Sequence, residues 1–176
     1  MNITKVRNAK KVGIFYLSEK KGLDKIEIEF QKNISSKVLT EQRGHVYIIV
    51  SDNEIKKIGG TRAKGGIKAA MRMYVNSKED SPSLRSFGIH LLIERELKNK
   101  KKLELWLISN PRVKTKIFGL TKADYVKVAA FKESENLCKN EYKLIKKKFP
   151  PWNFQENREK WPEDIRQKHR ANMNKK

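Results

Sequence analysis

The sequence predicts an α+β domain: a small, mostly antiparallel three-stranded core sheet flanked by helices, with a two-stranded N-terminal extension. Three observations predict it. A strongly apolar run at 46–50 is followed by the turn pair Asp52-Asn53 and a returning strand at 54–58. Apolar residues then recur at helical spacing over 67–76, 84–97 and 123–148. Between the last two helices, 102–108 alternates apolar and polar residues as a half-buried strand does.

Taken in order, residues 1–41 read as a basic β-arm. Its strands are 12–17 and 25–30, joined by a turn around Lys21-Gly22, and the second strand alternates apolar and charged residues. A core spans 42–153. Within it, the glycine-rich loop 59–66 leads into the first helix, and a Ser/Asp/Pro loop at 77–83 precedes the second. A loop at Asn110-Pro111 and a weakly patterned stretch separate the third core strand from the long helix, which Pro150-Pro151 ends. Residues 154–176 read as a basic tail with little periodicity, placed to contact nucleic acid.

The charge is lopsided. Lys and Arg number 41 against 20 Asp and Glu in 176 residues, a net charge of +21. Solubility needs far less, and the usual partner of such an excess is a polyanion, whose condensed counterions are released as each phosphate is neutralised. A membrane surface is the minor competitor. No apolar run is long enough to span a membrane, and 12–17 is too short for a signal-peptide core. One cysteine, Cys138, makes neither a disulfide framework nor a zinc finger, which fits a reduced, cytoplasmic protein.

Four groups of residues could carry chemistry. On the last helix Ala130, Ser134, Leu137, Cys138, Leu144 and Ile145 form one stripe with Glu141 in its middle, while Glu133 and Glu135 fall off it and read as solvated. A carboxylate on an apolar face needs compensation: Glu141 either pairs with a buried cation or binds a hard metal such as Mg²⁺. In the hairpin, a two-residue turn at Asp52-Asn53 puts Tyr47 and Lys57 on opposite faces, and a three-residue loop puts them together. Together, the Lys57 ammonium would favour a Tyr47 phenolate; apart, they are a core tyrosine and a snorkelling lysine. The glycine loop serves a turn or a close approach of a DNA backbone, and it lacks the Walker ending. The helix after it leaves Lys68, Arg72 and Asn76 as a polar stripe, where an Arg is either solvated or able to hold a phosphate.

Together these pieces resemble the GIY-YIG nuclease superfamily over about residues 44–153. Val46-Tyr47 is similar to the first half of its signature, and Lys57-Ile58-Gly59, ten residues after Tyr47, to the second half with Lys replacing the usual Tyr. Glu141 and, twelve residues later, Asn153 in Pro150-Pro151-Trp152-Asn153 resemble the family's metal-binding Glu and its Asn. The Lys variant, with the segments 64–68 and 82–89, resembles the type II restriction branch.

The resemblance implies Tyr47 as general base aided by Lys57, Glu141 as anchor for one Mg²⁺ or Mn²⁺ per active site, and Asn153 as a supporting contact. Arg72 is the first choice for the family's phosphate-holding arginine. Asn76 stands four residues on, where the family often has Tyr or His, so Lys68, or Arg85 or His90 from the second helix, are the substitutes. Lys64, Lys68, Arg85, Arg158, Arg166, Lys168 and Arg170 are expected on DNA. The expected function is a sequence-specific restriction endonuclease acting on double-stranded DNA as a homodimer, with no small-molecule cofactor and no membrane partner. The rivals are a non-catalytic nucleic-acid-binding protein, such as a ribosome-associated factor, and a nuclease of low specificity.

Overall fold

The computed structural model describes residues 3, 6, 9–20, 23–41, 44–77, 81–108 and 123–174, with the side chains of 20, 23, 24 and 123–131 left out. Its strands are β1 (Lys10–Lys20), β2 (Leu23–Phe30), β3 (His45–Ser51), β4 (Glu54–Thr61) and β5 (Leu103–Ile108). They form one five-stranded sheet in the order β2-β1-β5-β3-β4, every pairing antiparallel. The expected split into a three-stranded core and a separate extension is therefore corrected. β1 lies directly against β5 and buries Val12 and Phe15, so the N-terminal strands continue the core. The turn expected at Lys21-Gly22 and the loop at Asn110-Pro111 lie outside the described residues.

Six helices complete the described chain: α1 (Ser36–Thr40), α2 (Gly66–Val75), α3 (Leu84–Lys98), α4 (Ala123–Lys146), α5 (Phe154–Asn157) and α6 (Glu163–Met173). Strand alternation divides the core in two. Tyr47, Ile49, Leu103, Leu105 and Leu107 point to the face covered by Ile67, Met71, Phe87 and Ile93 of α2 and α3. Val46, Ile48, Val50, Ile55 and Ile58 point to the other face, where Tyr142 of α4 covers them. Gly65 and Gly66, which open α2, have positive φ, and a Cβ at Gly66 would lie 2.6 Å from the Leu39 carbonyl oxygen. The close approach that Gly66 permits is thus to the chain's own α1.

The C-terminal tail, expected to have little periodicity, forms α5 and α6. Ile165 of α6 is buried against the core, and Trp161 lies on Gly88 of α3, where a Cβ would come within 2.4 Å of the indole. Phe154 stacks on Trp161 with ring centroids 4.4 Å apart. No helix among the described residues is long and apolar enough to cross a membrane.

Candidate active site

The β3–β4 hairpin sets the site. Asp52 and Asn53 both have positive φ, so the turn is the tight two-residue kind that matches strand twist. Regular pairing beyond it would put Tyr47 and Lys57 on opposite faces. It is not regular: Val50 faces Ile55 but Ile49 faces Lys57, leaving Lys56 as an extra residue in β4. This β-bulge turns Lys57 back onto the face of Tyr47, two positions along the ladder. The bulge is braced from outside, because the Lys56 carbonyl accepts the Trp152 amide at 2.9 Å.

Tyr47 is 2% exposed and faces Gly59 across the ladder. A Cβ at that glycine would lie 2.5 Å from both Cζ and the hydroxyl oxygen of Tyr47, so the ring occupies space that only glycine leaves. The Tyr47 hydroxyl lies 2.7 Å from that of Tyr74, and the rings meet edge to face. Tyr74 comes from the inner face of α2 and is steadied from α3: His90 Nδ1 donates to its carbonyl oxygen at 2.8 Å. Arg85, in the first turn of α3, acts electrostatically on both tyrosines.

Burial, then Tyr74, push the Tyr47 phenol well above its ordinary range, and Arg85 acts in the opposite direction. Arg85 is itself held more firmly charged: burial opposes its charge, but the two tyrosines and Glu156 together outweigh that. Lys57 is 2% exposed and its Nζ donates to the Trp152 carbonyl at 3.5 Å. Burial, then Arg85, bring its ammonium down to about 7. The cation that favours a Tyr47 phenolate is therefore Arg85, where Lys57 was expected.

The carboxylates that act on this cluster are Glu135 and Glu156, and Glu141 lies elsewhere. Glu135 is buried on α4 and acts electrostatically on both Tyr47 and Lys57, whereas Glu141 is exposed. Six residues along a helix turn a side chain by about 240°, so the two cannot share a face. The inward stripe is Ser134, Glu135, Cys138, Lys139 and Tyr142; the expected stripe residues Leu137, Leu144 and Ile145 face solvent, Leu144 at 73% exposure. Sequence periodicity missed this because α4 packs on the edge strand β4 and buries an ion pair there.

Around Glu135 the polar groups are tightly linked. Lys139 Nζ donates to Glu135 Oε1 at 2.7 Å and to Glu156 Oε1 at 2.6 Å. Asn153 Nδ2 donates to the same Glu156 oxygen at 3.1 Å. Burial opposes the Glu156 charge, yet Lys139, a backbone amide and Asn153 bring its carboxyl down to about 2. Asn153 also grips β4, accepting from Ile58 N at 3.0 Å and donating to Ile58 O at 2.8 Å. Its amide thus continues the sheet's pairing past the edge strand and braces the site.

The other expected residues separate clearly. Arg72, Lys64 and Lys68 are exposed on or before α2, away from the tyrosine pair. Arg158, Lys168 and Arg170 are exposed, while Arg166 is held by the Trp161 carbonyl at 3.1 Å and by Glu163. Tyr74, Glu135, Lys139 and Glu156 were not singled out from sequence. Tyr74 had a usable signal, since it falls on the inner face of α2. Glu135 and Lys139 had a weaker one, their spacing of four on one helix.

A divalent cation fits the donor chemistry. Carboxylate oxygens of Glu135 and Glu156 converge on one ammonium, and Mg²⁺ takes one or two carboxylates while keeping water and substrate oxygens. No group of three or more His, Cys, Asp or Glu that could hold a metal ion occurs among the described residues. No family model matches the chain, and no curated protein matches it. Among solved structures it is similar to the restriction endonuclease HPY188I in complex with product DNA, at 18% identity and a TM-score of 0.44, over 85% of this chain and 84% of that one.

Proposed function

We propose that this protein is a metal-dependent endonuclease that hydrolyses phosphodiester bonds of double-stranded DNA at specific sequences, a restriction enzyme by type. The observation that carries the reading is the meeting of the Tyr47–Tyr74 pair with Arg85, Lys57 and Glu135 on one side of the β3–β4 hairpin. A tyrosine, an arginine and a carboxylate from separate elements, joined by a buried lysine, suit phosphoryl chemistry better than they suit stability. The resemblance of Tyr47 and Lys57-Ile58-Gly59 to the nuclease signature supports the same reading.

In this reading the Arg85 guanidinium, which keeps an exposed side, grips the scissile phosphate and offsets charge as it builds on the non-bridging oxygens. Tyr47, once deprotonated, takes the proton of the attacking water. The new P–O bond forms as the P–O3′ bond breaks, and the 3′ oxygen is protonated from solvent. Tyr74 holds the Tyr47 hydroxyl in line, and Lys57 fixes the buried side of the pocket. One Mg²⁺ or Mn²⁺ on Glu135, when bound, supplies Lewis-acid stabilisation to the phosphate and the leaving oxygen. Asn153 holds the edge strand and Glu156 in place. Exposed Lys64, Lys68, Arg72, Arg158, Lys168 and Arg170 supply phosphate contacts, and two copies acting on a two-fold site cut both strands.

The test is digestion of long, unmodified double-stranded DNA with and without Mg²⁺, comparing the wild type with Glu135→Gln. Discrete Mg²⁺-dependent fragments, lost in the variant while DNA binding persists, are the expected result. A continuous ladder would point to a nuclease of low specificity. Binding without cutting under either metal would leave a nucleic-acid-binding protein.

A further inference from the structure

Lys139 has no place in the chemistry above, yet its position is tightly defined. It sits one helical turn after Glu135, is 9% exposed, and donates to Glu135 Oε1 and Glu156 Oε1 at 2.7 and 2.6 Å. Each is a short, charge-assisted bond. Glu156 is fixed in turn by Asn153, itself clamped to Ile58 of β4. The ammonium is therefore suspended between a carboxylate on α4 and one anchored through the edge strand. Without it the buried Glu135 and the half-buried Glu156 would repel across a small gap, and desolvation would leave Glu135 short of compensation.

We propose that Lys139 is a built-in counter-cation for the metal-free site, which a divalent ion must displace from Glu135, the lysine then being retained by Glu156 alone. This rests on the reading of Glu135 as the metal anchor. The geometry supports displacement over coexistence, because a divalent ion at the Glu135 oxygens and an ammonium 2.7 Å away would repel strongly in a poorly solvated site. Glu156 gives the lysine somewhere to stay, so unloading Glu135 does not strand a buried charge. Metal affinity in the free protein is then held down by a side chain of the chain itself.

The experiment measures Mn²⁺ binding to the DNA-free protein by the electron paramagnetic resonance signal of unbound Mn²⁺, in wild type, Lys139→Met, Lys139→Gln and Glu135→Gln. Either Lys139 variant is expected to bind Mn²⁺ at least about tenfold more tightly than wild type, since a competing charge is gone. In the wild type, the Lys139 ¹⁵Nζ resonance is expected to shift during a Mg²⁺ titration, which keeps the test intact should a variant fold poorly. Unchanged or weaker Mn²⁺ binding in the folded Lys139 variants, or a Lys139 resonance indifferent to bound Mg²⁺, would overturn the proposal. Glu135→Gln separates the two ideas. Wild-type Mn²⁺ affinity in that variant would refute Glu135 as the anchor, whereas lost affinity there with no gain in the Lys139 variants would refute the counter-cation alone.

Discussion

The hydroxyl of Tyr47 lies 2.7 Å from that of Tyr74, and the partly exposed Arg85 acts electrostatically on both, so a buried pair of phenols sits under the influence of one cation. Burial and then Tyr74 hold the proton on Tyr47. Cleavage that needs the phenolate must therefore rise with pH across the neutral and mildly alkaline range. Tyr47→Phe is expected to lower the single-turnover rate by about 10²–10⁴ with DNA affinity kept. Tyr74→Phe removes a contact that raises the Tyr47 pKa, so its rate profile is expected to shift toward lower pH. A pH-rate series on both variants checks the two effects.

Glu135 and Glu141 offer a sharp comparison on one helix. Glu135→Gln is expected to cost at least about a hundredfold in Mg²⁺-dependent cleavage, the loss typical of an oxygen that positions a metal or substrate. Glu141→Gln, on the exposed face, is expected to remain within about twofold. Equal losses, or a reversed order, would contradict the placement of the site.

Lys57 is a stability liability at neutral pH. Its ordinary value of 10.5 falls to about 7 in the folded protein, burial first and Arg85 second. The unfolded chain holds that proton more tightly, so stability is expected to increase as pH rises from about 7 to 10.5, and the penalty is fully present below about 7. Lys57→Met is expected to stabilise the fold by roughly 2–4 kcal/mol at pH 6–7 while sharply reducing cleavage. Urea denaturation at pH 6.5 and pH 10 tests the sign, the gain shrinking at the higher pH.

Arg85 and Arg72 should part company. Arg85→Ala is expected to lower the cleavage rate by about 10²–10³ with a smaller change in DNA affinity, as for a group that acts on developing charge. Arg72→Ala is expected to leave the rate at saturating protein nearly unchanged and to reduce the salt dependence of DNA binding by about one phosphate contact. Rate and affinity measured over a salt series distinguish the two.

Glu156 links the site to acid stability. Its carboxyl is brought from an ordinary 4.5 to about 2, so the stabilisation it contributes is complete above about 4.5 and is lost as pH falls toward 2. Glu156→Gln is expected to flatten the pH dependence of the melting temperature over that interval. A wild-type slope in the variant would assign the loss to other carboxylates.

The hairpin, the α2–α3 pair and the core strand β5 were legible because each follows a local period. Tyr47, Lys57 and Asn153 were singled out by spacing. Their common face was not, because the Asp52-Asn53 turn alone implies the opposite pairing and the extra residue Lys56 has no local signal. Glu135 was hidden by hydrophobic periodicity: α4 turns Leu137, Leu144 and Ile145 to solvent and buries a lysine–glutamate pair against the sheet edge. Arg85 acts on the tyrosine pair from a different helix, a tertiary fact that no window of sequence contains. The five-stranded sheet was missed for a similar reason, since the β1–β5 pairing joins segments about ninety residues apart.

The bulge at Lys56 makes the orientation of the site a matter of residue counting. Substitutions in β4 alter what Lys57 or Gly59 is, but they leave each slot facing the same way. Straightening the bulge with every residue kept would pair Lys57 with Ile48 and turn every later position of β4 over, carrying Lys57 to the Val46 side and Ile58 to the Tyr47 side, whereas deleting Lys56 would leave Lys57 opposite Ile49. A hairpin shorter by that one residue would present Lys57 and Gly59 the same way by regular pairing, so that in descendants of this sequence a loss of residue 56 would be tolerated where a straightened hairpin of full length would not.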